Sequence, residues 1–148
     1  MTQDILVDLG EEYIIKNNFD GATVSIGLYN DTTDTITDTD DLAQITTEPA
    51  STNYARQSTT VSAADINTDW GVQTDSLIEF DFSDVPSGDA EAVDVDTGFF
   101  VINFQAEDTG DGAATDHLIG NFALSQTRNT GEFDTLEIAA GDATITLD

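Results

Sequence analysis

The sequence predicts a mainly β fold: a single-domain antiparallel β-sandwich or jelly roll of about seven or eight short strands with one N-terminal α-helix. Three observations carry this. Apolar and polar residues alternate over several short runs, the period of a half-buried strand. Turn-forming Gly, Asp and Asn separate those runs. Only the N-terminal segment shows helical spacing.

Residues 4 to 18 read as that helix. Asp4 is placed to cap it, Ile5, Leu9 and Tyr13 recur at every fourth position with Leu6 and Ile14 alongside, and Asn17-Asn18 and Asp20-Gly21 end it. The period then changes to two. Ala22, Val24, Ile26 and Leu28 alternate with Thr23, Ser25, Gly27 and Tyr29, which predicts a strand over Thr23–Tyr29. A loop dense in Asp and Thr follows from Asn30 to Asp41, and Leu42 to Tyr54 stays ambiguous, with a break at Glu48-Pro49. Strands are expected over Arg56–Ser62 and Leu77–Phe82, the latter with Ile78, Phe80 and Phe82 on one face. Asp84 to Asp96 reads as an acidic loop containing Pro86 and Gly88. Phe99–Phe104 is apolar on both faces apart from Asn103, the pattern of a central strand. Leu118–Leu124, Phe133–Ile138 and Ala143–Leu147 complete the set. The expected organisation is one domain over 1–148, with the helix at 4–18, the sandwich over 22–148, and neither linker nor internal repeat.

Charge is the strongest compositional signal. The 148 residues hold 30 Asp plus Glu against 3 Lys plus Arg, a formal net charge of -27. In dilute buffer such a surface repels itself and destabilises any compact state. At molar salt the Debye length falls to roughly 3 Å and most of that repulsion is screened. Lys16, Arg56 and Arg128 are the only permanent cations, so surface salt bridges are no general stabilising device here. A halophilic protein, stabilised by hydrated carboxylates, fits this composition better than a DNA mimic or a calcium-loaded acidic protein, because the acids are spread along the chain and interleaved with Thr.

The same charge argues against nucleic acid and anionic membrane surfaces as partners. No apolar run approaches the roughly 20 residues that span a bilayer. Met1 to Asp4 has no positive region ahead of Ile5-Leu6-Val7, which predicts no secretory signal. With no cysteine, disulfides, thiolate nucleophiles and Cys-based metal sites are excluded.

No catalytic constellation stands out. His117 is the sole histidine, no Gly-x-Ser-x-Gly elbow accompanies it, and it is expected to be a surface or loop residue before a strand. Asp108 to Asp116 has Asp and Gly at short spacing but neither the EF-hand spacing nor its bidentate Glu, so it reads as an ordinary solvated loop. Asp31, Asp34, Asp38, Asp40 and Asp41 read the same way, as a halophilic hairpin loop. Acids are too frequent for a glycosidase pair to stand out. No catalytic residue, cofactor or metal is therefore expected. Arg56 and Arg128 are suited to bidentate pairing with carboxylates, within the chain or across an interface. Trp70 and Tyr54 are candidates for interface anchors or for half-buried core positions.

Three segments, Val24-Ser25-Ile26-Gly27-Leu28-Tyr29-Asn30-Asp31 with Asp34, Tyr54-Ala55-Arg56-Gln57, and the run from Gly120-Asn121-Phe122-Ala123-Leu124-Ser125 to Ile138-Ala139-Ala140-Gly141-Asp142-Ala143-Thr144-Ile145-Thr146-Leu147, together resemble a family of small virion proteins. These are capsid decoration or tail-associated proteins of tailed bacteriophages and haloarchaeal tailed viruses. The chain departs from the pattern where Ser51-Thr52-Asn53 replaces a Gly-rich turn and where Gly131-Glu132-Phe133-Asp134 replaces a Gly-Asp turn. The resemblance implies a non-enzymatic virion component, assembled in a salty host cytoplasm. It would form a homo-oligomer, a trimer, and contact other virion proteins such as the major capsid protein. Ile5, Leu9 and Tyr13 on the helix are the expected partner-binding residues. A tail, baseplate or receptor-binding component is the alternative, and a cellular halophilic carbohydrate-binding module a more remote one.

Overall fold

The computed structural model describes residues 7–66, 69–104 and 114–147. It is mainly β. Helix α1 (Asp8–Asn18) precedes β1 (Thr23–Tyr29), β2 (Gln57–Ile66), β3 (Asp69–Thr74), β4 (Ile78–Asp81), β5 (Asp94–Phe104), β6 (Thr115–Asn129), β7 (Thr135–Ile138) and β8 (Thr144–Thr146), with a 3-10 turn at Leu42–Gln44. Six strands form one antiparallel sheet in the order β6-β5-β1-β2-β3-β8, and β4 pairs with β7 in a second, small sheet. The large sheet curls until its edge strands nearly meet: a Cβ placed on Gly120 of β6 would come within 2.8 Å of Ile145 of β8.

The main core lies between the two sheets. Val24, Ile26 and Leu28 of β1, Val61, Val72, Phe100 and Phe122 point into it from the large sheet, and Ile78, Phe80, Leu136 and Ile138 from the small one. Each such fully buried side chain contributes roughly 1.5–3 kcal/mol through removal of its apolar surface from water. Tyr54 stacks against Phe80 and Phe82 of the small-sheet side at 5.8 and 5.7 Å, and within the large sheet Phe100 meets Phe122 edge-on at 5.2 Å.

A second, smaller core sits on the outer face of the large sheet. Alternation along β1 and β5 sends Tyr29, Phe99 and Val101 outward, where Ile36, Leu42, Ile45 and Leu118 cover them. This is why Phe99–Phe104 is apolar on both faces: β5 lies between β6 and β1, with one face on each core.

Several boundaries differ from expectation. The helix is described from Asp8, with Val7 at the N-cap and no side-chain cap, while Asp4 lies outside the described residues. Its inner face is set by Ile15, which is buried and packs with Phe19 and Trp70 in the main core. Gly21 ends the helical region at a φ of +76°, a left-handed conformation that glycine adopts without strain, and its N–H bonds Val61 O at 2.8 Å. Strand β3 was not expected. The acidic segment 84–96 was read as loop throughout, yet β5 begins at Asp94 because Val95 is fully buried between the exposed Asp94 and the half-exposed Asp96.

Candidate functional site

The Asp-rich segment after β1 folds back over the outer face of the sheet, and two carboxylates fasten it there. Asp34 is only 7% exposed and accepts four short hydrogen bonds: from Thr46 N and Oγ1 at 2.7 and 2.6 Å, and from Thr47 N and Oγ1 at 2.7 Å each. Burial alone would raise its pKa; the Thr46 and Thr47 donors overcome this and hold it below the ordinary 3.8. Asp41 caps the 3-10 turn through Leu42 N at 2.8 Å and accepts from Leu118 N at 2.7 Å on β6. Its pKa is also lowered: burial raises it, and the bonds from Leu118, His117 and Leu42 outweigh burial.

This corrects the expectation of a solvated hairpin loop. Asp34 and Asp41 are structural anchors, whereas Asp31 and Asp38 are exposed and Asp40 bonds locally, accepting from Thr37 N and Oγ1 at 2.8 Å. The apolar residues that signal a covered loop, Ile36, Leu42 and Ile45, are too widely spaced to form a period.

His117 also departs from expectation. It is 8% exposed on β6, not a surface residue ahead of a strand. Its Nδ1 meets Asp41 Oδ2 at 2.7 Å and its Nε2 meets Thr115 Oγ1 at 2.9 Å, with the Phe104 ring centroid 4.5 Å from the imidazole. With the proton on Nδ1, the imidazole donates to Asp41 and accepts from the Thr115 hydroxyl. Hydroxyl, imidazole and carboxylate thus stand in line. Asp41, however, is already committed to Leu42 and Leu118, and the chain ties the loop to β6.

Two of the three cations are used within the chain. Arg56 grips Glu48 with both arms, Nε to Oε1 at 2.9 Å and Nη2 to Oε2 at 2.7 Å, and lies 5.1 Å above the Phe99 ring. Tyr54 completes that knot by donating to Glu48 at 3.0 Å and accepting from Leu28 N at 2.9 Å. Lys16 pairs with Glu12 and sits 4.8 Å over Trp70. Arg128 lies against an amide: with the Gln126 side chain turned so that its oxygen faces the guanidinium, that oxygen accepts from Arg128 at 2.9–3.2 Å, and among the described residues no carboxylate pairs with it.

Of the expected partner-binding residues, Leu9 and Tyr13 lie on the outer face of α1 and are 77% and 70% exposed. Val7, the N-cap residue, is also exposed, at 62%. Ile5 lies outside the described residues, as does the Asp108–Asp116 segment up to Ala113. Trp70 and Tyr54 occupy the half-buried core positions that were their alternative reading. Among the described residues no group of three or more His, Asp or Glu side chains is arranged to hold a metal, and no helix is long and apolar enough to cross a membrane. Comparison with protein-family models, with curated proteins and with solved structures gives no match to this chain.

Proposed function

We propose that this protein is a non-enzymatic structural component of the virion of a haloarchaeal tailed virus, a capsid decoration or turret protein that assembles with copies of itself. Its site of action is then the particle, put together in a host cytoplasm at high salt. The observation that carries the reading is a contrast on one surface. A chain of net charge -27 exposes an apolar helix face at Leu9 and Tyr13 instead of burying it. An acidic exterior keeps the particle soluble in brine, and the apolar face is where another virion protein, such as the major capsid protein, would dock.

The scaffold suits that role. A nearly closed sheet with a clasped loop is rigid and offers attachment surfaces without moving parts. The rival carbohydrate-binding module needs a platform of exposed aromatic rings; here Trp70 lies under Lys16, Tyr54 is stacked against Phe80 and Phe82, and the exposed Tyr13 and Phe104 stand on separate elements, α1 and β5. The Thr115–His117–Asp41 chain is read as a latch because its carboxylate also holds two backbone amides.

The test is the mass of the recombinant protein by light scattering in about 3 M KCl and again at roughly 0.1 M. A discrete oligomer in brine that dissociates or unfolds on dilution supports the reading. A monomer indifferent to dilution overturns it. Copy number in purified particles then separates shell from tail: hundreds for decoration, a handful for a tail, baseplate or receptor-binding component.

A further inference from the structure

Strand β6 carries a second feature that the helix face does not share. Between the pairs Val95↔Arg128 and Thr97↔Ala123 its register against β5 slips, so that Leu124–Thr127 oppose the single residue Asp96. Bulges of this kind bend an edge strand away from its sheet. Among the described residues β6 is an edge strand of the large sheet, and β7 pairs with β4 alone. Between the two lies an open groove of about 420 Å³. Consecutive residues of both strands line it, from Phe122 to Gln126 on one side and Thr135 to Ile138 on the other. Side chains alone would contribute alternate positions; consecutive ones mean that each strand turns a backbone edge to the groove. Such edges are templates for another strand.

We infer that a second copy of this chain pairs through the bulged edge of β6, about a two-fold axis, with Arg128 of each copy on Glu137 of the other. This rests on the reading of the protein as a homo-oligomer and specifies its contact. Charge selects the occupant. Close contact between two chains of net charge -27 costs least where carboxylates are few or matched by a cation, and residues 117–131 contain neither Asp nor Glu. The only other acid-free stretch of that length, 49–64, runs into β2, which is paired on both sides. The groove is also self-complementary across a two-fold. Arg128, without a carboxylate of its own among the described residues, stands on one rim, and Glu137 and Asp142 on the other. A two-fold contact brings each rim onto the opposite one. The pair is short-range and partly desolvated by the interface, so salt that removes the long-range repulsion weakens it less.

The experiment is sedimentation and light scattering of the full chain in about 3 M KCl, with folding of every variant checked by circular dichroism. The native protein is expected at twice the 15.8 kDa chain mass. Arg128→Glu is expected to weaken the dimer at least about tenfold, and the double variant Arg128→Glu, Glu137→Arg to restore it. Gln126→Asp, which places a carboxylate in the acid-free edge, is a second disruptive variant should the first fail to fold. A native dimer indifferent to Arg128→Glu or Gln126→Asp, or one that the double variant does not restore, overturns the edge contact. A mass of three chains overturns the two-fold contact and leaves the oligomeric virion reading in place. A monomer in brine overturns both.

Discussion

His117 and Asp41 are 76 positions apart in sequence, and their side chains meet at 2.7 Å. The contact joins the Asp-rich loop to an edge strand, and Asp41 also holds the backbone of Leu118 and Leu42. Removing that carboxylate leaves the Nδ1 of a buried imidazole and a strand N–H unpaired. Asp41→Ala is expected to cost about 2–4 kcal/mol, the penalty for orphaning such groups, read as a fall in thermal midpoint in brine. His117→Ala should cost less, because Asp41 keeps its two amide donors. A change below about 0.5 kcal/mol for Asp41→Ala would show that the loop does not need this clasp.

Asp34 and Asp41 have folded pKa values lowered from 3.8, so their contribution is complete above the unfolded value and is lost as pH falls through the folded ones. Stability is therefore expected to fall below about pH 4, in dilute buffer and in about 3 M KCl alike, because short-range hydrogen bonds are screened little by salt. Denaturant midpoints across pH at both salt levels check this; an acid limb unchanged by Asp34→Asn together with Asp41→Asn refutes the assignment.

Glu79 and Glu137 stand directly opposite each other in the β4–β7 ladder. Like charges at such a position destabilise the pair, and opposite charges contribute roughly 0.2–1 kcal/mol. Glu79→Lys should therefore stabilise the protein in dilute buffer and reduce the slope of stability against salt. An equal gain at every salt concentration would mean that charge is not the cause.

Gly71 of β3 has no room for a side chain. A Cβ there would lie 2.2 Å from the backbone oxygen of Ile145 on β8, and backbone cannot swing aside as a ring can. Gly71→Ala is expected to cost about 1–3 kcal/mol or to detach β8, with faster amide exchange at Thr144–Thr146 as the sign. Retention of native protection there would show that the strands separate without penalty.

The β character was legible wherever one strand face is apolar and the other polar. Thr23–Tyr29 matches β1 residue for residue, and Leu77–Phe82 and Ala143–Leu147 contain β4 and β8. The pattern failed where acids sit on the outward face of a strand. β3 shows only Trp70 and Val72 among Asp69, Gly71, Gln73 and Thr74, and the start of β5 shows only Val95 between Asp94 and Asp96. In a chain this acidic, an outward Asp is indistinguishable in sequence from a loop Asp.

The same ambiguity governed the sites. Asp34 and Asp41 look like their solvated neighbours Asp31 and Asp38, since a carboxylate becomes an anchor only when Thr46, Thr47, Leu118 and His117 are brought to it. Arg56 was legible as a bidentate partner, but its choice of Glu48 was not.

Composition and periodicity by themselves determined the strongly negative charge, the absence of thiol chemistry, the mainly β class and the place of the helix ahead of the strands, because these are sums or short-range patterns. Tertiary structure decided which carboxylates are buried and, among the described residues, which cation stands apart from any carboxylate and where a strand edge is left open. Those depend on segments far apart in sequence meeting in space, and no local pattern encodes the meeting.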